Sequence, residues 1–101
     1  MRTAPVSGFT VQNDKYGMQN HPLPVFLEIN RAIIGARRAA WVYMACRYAA
    51  QKLDPSVRMQ ARYEDHERVG WTFYVKDSMT AMRLAICHAA VMQGRPLPLP
   101  R

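Results

Sequence analysis

Cys87 and His88 are adjacent in the sequence and are the residue types of a nucleophile and its general base. Both fall in an apolar pattern that predicts a helix near the C-terminus. Neighbours on a helix point in different directions, so local geometry does not pair this thiol with this imidazole. We therefore expect a packed thiol beside a surface or capping histidine.

A second candidate is His66, which lies among Glu64, Asp65 and Glu67. Clustered carboxylates and an imidazole can bind a divalent cation, but a short turn does not easily converge them on one ion. The sequence favours a solvated turn whose acids balance neighbouring arginines. It also contains no Gly-rich phosphate loop, nucleophile elbow or paired histidines on a helix. We predict no catalytic residue, no metal or other cofactor, and no enzymatic activity.

The net positive charge of the chain instead indicates a binding function. The 101-residue chain carries 14 Lys and Arg against 7 Asp and Glu, a formal charge of +7. Such an excess attracts nucleic acid, acidic protein surfaces or anionic lipid, and arginine forks suit phosphate and carboxylate. Half of the residues are hydrophobic, which is too many for a disordered chain and typical of one folded domain.

The cellular location is predicted from two kinds of segment that the sequence does not show, a secretory signal and a membrane span. Its start shows no apolar signal region, and the longest apolar run, Ala39–Cys46, is too short to span a bilayer. Cys46 and Cys87 fall inside helical patterns and are expected to be reduced, buried thiols. We predict a cytoplasmic protein with no membrane partner.

The best-defined elements are two strands, Val57–Tyr63 and Val69–Val75, which alternate apolar and polar residues. Placing Glu64 opposite Arg68 brings the apolar residues together in pairs: Tyr63 with Val69, Ala61 with Trp71, Met59 with Phe73, and Val57 with Val75. The other face then pairs Arg62 with Gly70, Gln60 with Thr72, and Arg58 with Tyr74. This predicts a hairpin with one dry face and one basic, aromatic-bearing face.

A helix is predicted from Pro24 to Leu53, where Asp54-Pro55 ends it. Gly35 is expected either to kink this helix or to let another backbone approach it closely. Its core stripe is expected to be Ile29, Ala32, Ile33, Ala36, Ala40 and Tyr43. A second apolar arc comprises Leu27, Ile34, Trp41 and Tyr48. Because both arcs are apolar, this helix needs two partners.

A second helix is predicted to begin at a cap, Asp77 or Ser78, and to stop at Gly94. Its expected core stripe is Met79, Met82, Ala85, Ile86, Ala89 and Met92, with Leu84, Cys87 and Val91 lying away from it. The Pro-Leu repeats after this helix predict an extended tail.

Together these elements predict an α+β domain of order α-β-β-α, with the helices on one face of a small antiparallel sheet. We divide the chain into a polar arm (1–22), this domain (23–94) and the tail (95–101). A two-stranded sheet is marginal alone. Either Phe9–Val11 therefore adds an edge strand or two protomers pair their hairpins, and we expect a homodimer.

Two surfaces are candidates for partner binding. The first is a helix face that combines arginine with aromatic residues, as interface hot spots do; its residues are Arg31, Arg37, Arg38, Trp41 and Tyr48. The second is the basic hairpin face, with Arg58, Arg62, Tyr74 and Lys76, whose cations and ring suit phosphate contacts and base stacking. Either could also be an ordinary solvent face or, for the aromatic residues of the helix, part of the core.

The order of elements resembles a shortened double-stranded-RNA-binding domain, but Asp77-Ser78-Met79-Thr80 would repel phosphate where that family is basic. A Trp-bearing strand followed by an Ala-rich helix, Trp71–Val75 into Thr80–Ala85, is similar to the ends of many small orphan phage proteins. That resemblance implies proteins that bind and block a host complex, including CRISPR effectors, and it transfers no functional residue.

Two hypotheses follow. The preferred one is a non-catalytic interaction protein that binds an acidic surface of a larger assembly. The alternative is a module that binds RNA or DNA through the basic hairpin face.

Overall fold

The computed structural model describes residues 23–99. Its elements are three strands and three helices, in the order β1 (Leu23–Glu28), α1 (Arg31–Ile34), α2 (Ala36–Leu53), β2 (Arg58–Glu64), β3 (Glu67–Val75) and α3 (Ser78–Met92). The α+β prediction is confirmed, with the helices packed against an antiparallel sheet. The predicted edge strand Phe9–Val11 lies outside the described residues.

The sheet has three strands in the order β1-β3-β2, so the long strand β3 is central. Its third strand is Leu23–Glu28, and the prediction that the first helix begins at Pro24 is wrong. Pro24 lies on an edge strand, where a missing N–H costs nothing. Since β1 supplies the third strand, the argument that a second protomer must extend the sheet no longer applies, and the homodimer stays a prediction.

The predicted hairpin register is confirmed over the middle of the strands, where Met59 pairs with Phe73 and Ala61 with Trp71. The three pairs predicted for the other face are also confirmed. Val57 precedes β2, where it is buried without pairing to Val75.

At the hairpin tip the predicted register is wrong. Tyr63 pairs with Arg68 and Glu64 with Glu67, because a β-bulge shifts the partner by one residue. Asp65 and His66 form the turn with φ of 51° and 69°, the left-handed conformation that two-residue hairpin turns require. The extra residue on β3 is Val69, whose carbonyl accepts a hydrogen bond from the Ile29 N–H at 3.1 Å.

Gly35, with φ of 90°, separates α1 from α2, so the predicted kink is present. Asp54 caps the end of α2, also as predicted. The predicted core stripe is only partly correct, however: Ile33, Ala36 and Ala40 are exposed. Ile29 is buried just before α1, and Tyr43 packs against the core. The buried residues of α2 are Ala39, Val42, Cys46, Ala49 and Ala50.

The bounds of α3 are as predicted. The Asp77 carboxylate accepts from the Thr80 N–H at 2.8 Å, and Gly94 closes the last turn with φ of 73°. The predicted core face of α3 is reversed. Its buried residues are Thr80, Ala81, Leu84, Cys87, Ala90 and Val91, whereas Met79, Met82 and Ile86 are each more than half exposed.

Small side chains fill the core where α2 and α3 meet. Cys46 and Cys87 are both free and buried, as predicted. Burial, with a smaller contribution from the neighbouring Cys87, raises the pKa of Cys46 to about 12. Burial also raises the pKa of Cys87. These thiols therefore act as packing groups. In the tail, Leu97 and Leu99 pack against the same core.

Candidate functional site

The Cys87–His88 pair is not a catalytic dyad in the structure. The His88 Nε2 lies 2.8 Å from the Glu28 carbonyl oxygen, so the imidazole N–H donates to the end of β1. Burial lowers the pKa of His88, partly offset by this hydrogen bond and by Glu28. The histidine thus joins α3 to the sheet.

The acidic turn around His66 is exposed. Within residues 23–99, no three His, Cys, Asp or Glu side chains converge as a metal site would require. His21 lies outside the described residues.

The structure does not bring the five predicted partner-binding residues together. Arg37, Trp41 and Tyr48 lie on the exposed side of α2. Arg38 instead reaches the end of α3, where its guanidinium donates to the Met92 carbonyl at 2.7 Å. Arg31 is on α1 and lines a cleft against the hairpin tip.

Trp41 and Tyr48 belong to one of two exposed apolar stripes, one on α2 and one on α3, which we together call the outer helical face. It consists of six large side chains that are each 52–59% exposed: Trp41, Met44 and Tyr48 of α2, and Met79, Met82 and Ile86 of α3. Within each helix the spacing is i, i+3, i+7, which places the three on one stripe. The two helices pack together with their buried residues toward the core, so both stripes point away from it.

The helices that carry this face are uniformly basic. Residues 36–53 and 78–92 contain no Asp or Glu. Their charged residues are Arg37, Arg38, Arg47, Lys52 and Arg83. Lys52 lies 5.6 Å from the centre of the Tyr48 ring, a cation–π distance. The outer helical face is therefore apolar with a cationic surround.

The opposite side of the sheet is the open sheet face. It carries Phe26 and Glu28 of β1, Thr72 and Tyr74 of β3, and Arg58, Gln60 and Arg62 of β2. The register sets Phe26 and Tyr74 diagonally across neighbouring strands, with Arg58 beside Tyr74. The Tyr74 hydroxyl donates to Gln60 Oε1 at 2.9 Å. Both arginines are exposed, whereas Phe26 and Tyr74 are half-buried.

The predicted nucleic-acid residues are thus partly assembled. Arg58, Arg62 and Tyr74 share the open sheet face, and Lys76 is exposed just beyond β3. Sequence reasoning missed Phe26, because β1 was assigned to a helix. It also missed Met44 and placed the α3 stripe in the core. The repeated i, i+3, i+7 spacing was the available signal for that stripe.

Comparisons with protein-family models, with curated proteins and with solved structures gave no match. None of the helices among the described residues is both long and apolar enough to cross a bilayer. The function must therefore be argued from the surfaces themselves.

Proposed function

We propose that the protein is a non-catalytic interaction protein that binds an acidic protein surface through the outer helical face. The observation that supports this most is the exposure of six large apolar side chains on two packed helices. Large apolar side chains that are exposed together along a helix are a mark of an interaction site. Trp, Tyr and Met are also enriched where protein interfaces are tight.

Charge favours an acidic partner over a second copy of this chain. Two outer helical faces placed against each other would bring together basic helices that contain no carboxylate. An acidic surface would instead pair with Arg37, Lys52 and Arg83 at the edges of the patch. Blocking of a host complex, the role that the phage resemblance implies, is one form this function could take and rests on that resemblance alone.

The test is capture of partners from the native host with wild-type and variant baits, followed by affinity measurement with the purified partner. Trp41→Ala should weaken binding by about 30-fold or more, the effect of losing a hot spot of ~2 kcal/mol. Arg37→Glu should slow association and weaken its salt dependence. Trp41 is exposed, so far-UV circular dichroism should show an unchanged fold.

The matched control is Tyr63→Ala, which truncates an aromatic residue that is 61% exposed at the hairpin tip. It should leave the affinity unchanged. A partner that binds Trp41→Ala and Arg37→Glu as tightly as wild type would rule out the outer helical face.

A second candidate function is nucleic-acid binding through the open sheet face. Two rings on neighbouring strands beside Arg58 and Arg62 resemble, in chemistry, surfaces that stack bases and contact phosphates. Titration of salt against duplex and single-stranded oligonucleotides tests it. The logarithm of affinity should fall steeply with log salt, and each of Arg58→Gln and Arg62→Gln should flatten the slope by about one. Absence of binding at low salt excludes this function.

A further inference from the structure

A third surface belongs to neither candidate function. A cleft of about 500 Å³ lies between α1 and the tip of the β2–β3 hairpin. Its lining residues are Arg31, Ala32, Ala36, Tyr63, His66, Glu67 and Arg68. This volume is in the range of small-molecule sites, about 300–1,000 Å³.

The β-bulge is what brings Arg68 into this cleft. If side chains alternated along β3 with no bulge at Val69, Arg68 and Trp71 would lie on different sides of the sheet, with Arg68 on the open sheet face. The extra residue Val69 moves it to the helix side, where its guanidinium carbon lies 5.3 Å from the centre of the Trp71 ring. Trp71 in turn stacks on Tyr43 at 4.1 Å. Arg68 therefore rests on an ordered aromatic pair, which lowers the entropy lost when it binds a ligand.

Arg31 approaches from the other wall. It is the first residue of α1, and Asn30 caps that helix by accepting from the Ala32 N–H at 2.9 Å. The Ile29 N–H bonds to the Val69 carbonyl at the bulge, so the start of α1 is tied to the hairpin. The two arginines are thus placed by one connected piece of backbone.

Both guanidiniums are without a carboxylate partner among residues 23–99. Glu67 is the one acidic residue of the lining, and the imidazole of His66 and the phenol of Tyr63 can also donate. Two guanidinium groups beside two further hydrogen-bond donors are typical of a phosphate-binding site. The exposed Tyr63 ring offers a stacking surface for a planar group attached to that phosphate.

We propose that this cleft binds a phosphate monoester carried on an aromatic group, as in a nucleoside monophosphate. Arg31 and Arg68 contact the phosphate, and Tyr63 stacks on the ring. The same chemistry could come from a free nucleotide or from the phosphorylated 5′ end of a nucleic-acid strand.

The test is a titration followed by ¹⁵N–¹H NMR and calorimetry, using inorganic phosphate, AMP, and one oligonucleotide with either a 5′-phosphate or a 5′-hydroxyl. AMP should bind at least several-fold more tightly than phosphate, with shifts centred on residues 31 and 63–68. Preference for the 5′-phosphorylated strand over AMP identifies the strand end as the source. The reverse preference identifies the free nucleotide.

Variants distinguish binding of the phosphate compound in this cleft from its nonspecific attraction to a basic protein. Arg31→Gln and Arg68→Gln should each weaken AMP binding by about 10-fold or more, a loss of ~1.4 kcal/mol. Glu67→Gln should tighten it, because it removes the one negative charge in the lining. Arg95→Gln, an equal charge change at an exposed residue after α3, should have no effect. Failure of every phosphate compound to bind, or equal loss in Arg95→Gln and Arg31→Gln, overturns the proposal.

Discussion

The ring of Tyr43 on α2 stacks on the ring of Trp71 on β3, with centroids 4.1 Å apart and planes inclined by 24°. This pair joins the helical layer to the central strand of the sheet. The Tyr43 hydroxyl also lies 3.9 Å from the Met59 sulfur on β2, so one α2 side chain contacts two strands.

The chain's two tryptophans should therefore differ in their effect on stability. Trp71→Ala should lower the free energy of unfolding by about 3 kcal/mol, because it removes a packed aromatic ring. Trp41→Ala, at an exposed position, should change it by no more than ~0.5 kcal/mol. Urea unfolding followed by far-UV circular dichroism measures both, and similar losses would contradict this assignment.

Gly70 is required where β1 and β3 approach. A Cβ there would meet the Leu27 carbonyl oxygen and lie 2.7 Å from Phe26 Cε1. The ring could move, but the backbone oxygen could not do so without disturbing the pairing of β1 with β3. Gly70→Ala should cost about 2 kcal/mol in unfolding free energy.

Gly94 is the matched control for Gly70. It has open space around it and needs only a positive φ, which asparagine tolerates. Gly94→Asn should therefore be nearly neutral in the same urea experiment, whereas Gly70→Asn should be strongly destabilising. Equal effects at the two glycines would count against the steric argument.

Asp54 is a buried carboxylate, 2% exposed. Its Oδ1 accepts from the Ser56 N–H and hydroxyl, and its Oδ2 accepts from the Lys76 N–H at 2.9 Å. Asp54→Asn replaces one acceptor by a donor and should cost about 2 kcal/mol. Asp65→Asn makes the same change in the exposed turn, at a positive φ that asparagine adopts, and should be neutral in thermal unfolding.

Asp77 should make stability depend on pH in acid. The hydrogen bond from the Thr80 N–H lowers the pKa of Asp77, and the Thr80 side chain adds to this effect. Burial opposes the lowering, and the nearby cations Lys76 and Arg83 contribute to it. The ionised cap therefore stabilises the fold above the unfolded pKa of about 3.9. That contribution to stability is lost as pH falls through the lower pKa that Asp77 has in the folded protein. Asp77→Asn keeps the cap but cannot titrate, so its Tm should fall less than that of wild type between pH 7 and pH 3.

His88 should also make stability depend on pH, in a range above that of Asp77. Burial lowers its pKa, so the unfolded chain binds the proton more tightly than the fold does. The contribution of neutral His88 to the free energy of unfolding is therefore fully present above the unfolded pKa of about 6.5. It is lost as pH falls toward and through the lower pKa that His88 has in the folded protein. His88→Gln retains a donor for the Glu28 carbonyl and should show a smaller loss of Tm between pH 7 and pH 5. An equal loss would show that His88 does not titrate differently on folding.

Local pattern was enough to predict the hairpin and the caps of α3, since alternation and a capping aspartate act within a few residues. It could not predict β1. The pairing of Leu27 with Trp71 joins residues far apart in sequence, and the prolines around Leu23 resemble a helix entry when read locally.

The reversed face of α3 has a different cause. Hydrophobicity favours Met79 and Ile86 as core residues, but the buried residues of α2 and α3 are mostly small ones such as alanine and cysteine, and small side chains let packed helices approach closely. The larger apolar residues are then left outside. The α3 half of the outer helical face therefore consists of residues that a hydrophobic pattern assigns to the core.

The bulge at Val69 also has an evolutionary consequence. Removing that single codon would restore strict alternation, but Arg68 would then follow directly on Gly70 and would stay opposite Tyr63 on the helix side of the sheet. What the deletion would remove is the carbonyl that accepts a hydrogen bond from the Ile29 N–H. Relatives that lack this residue are thus expected to keep Arg68 in the cleft but to hold the start of α1 less firmly, a difference that phosphate titration of the two forms would reveal as weaker binding by the shorter one.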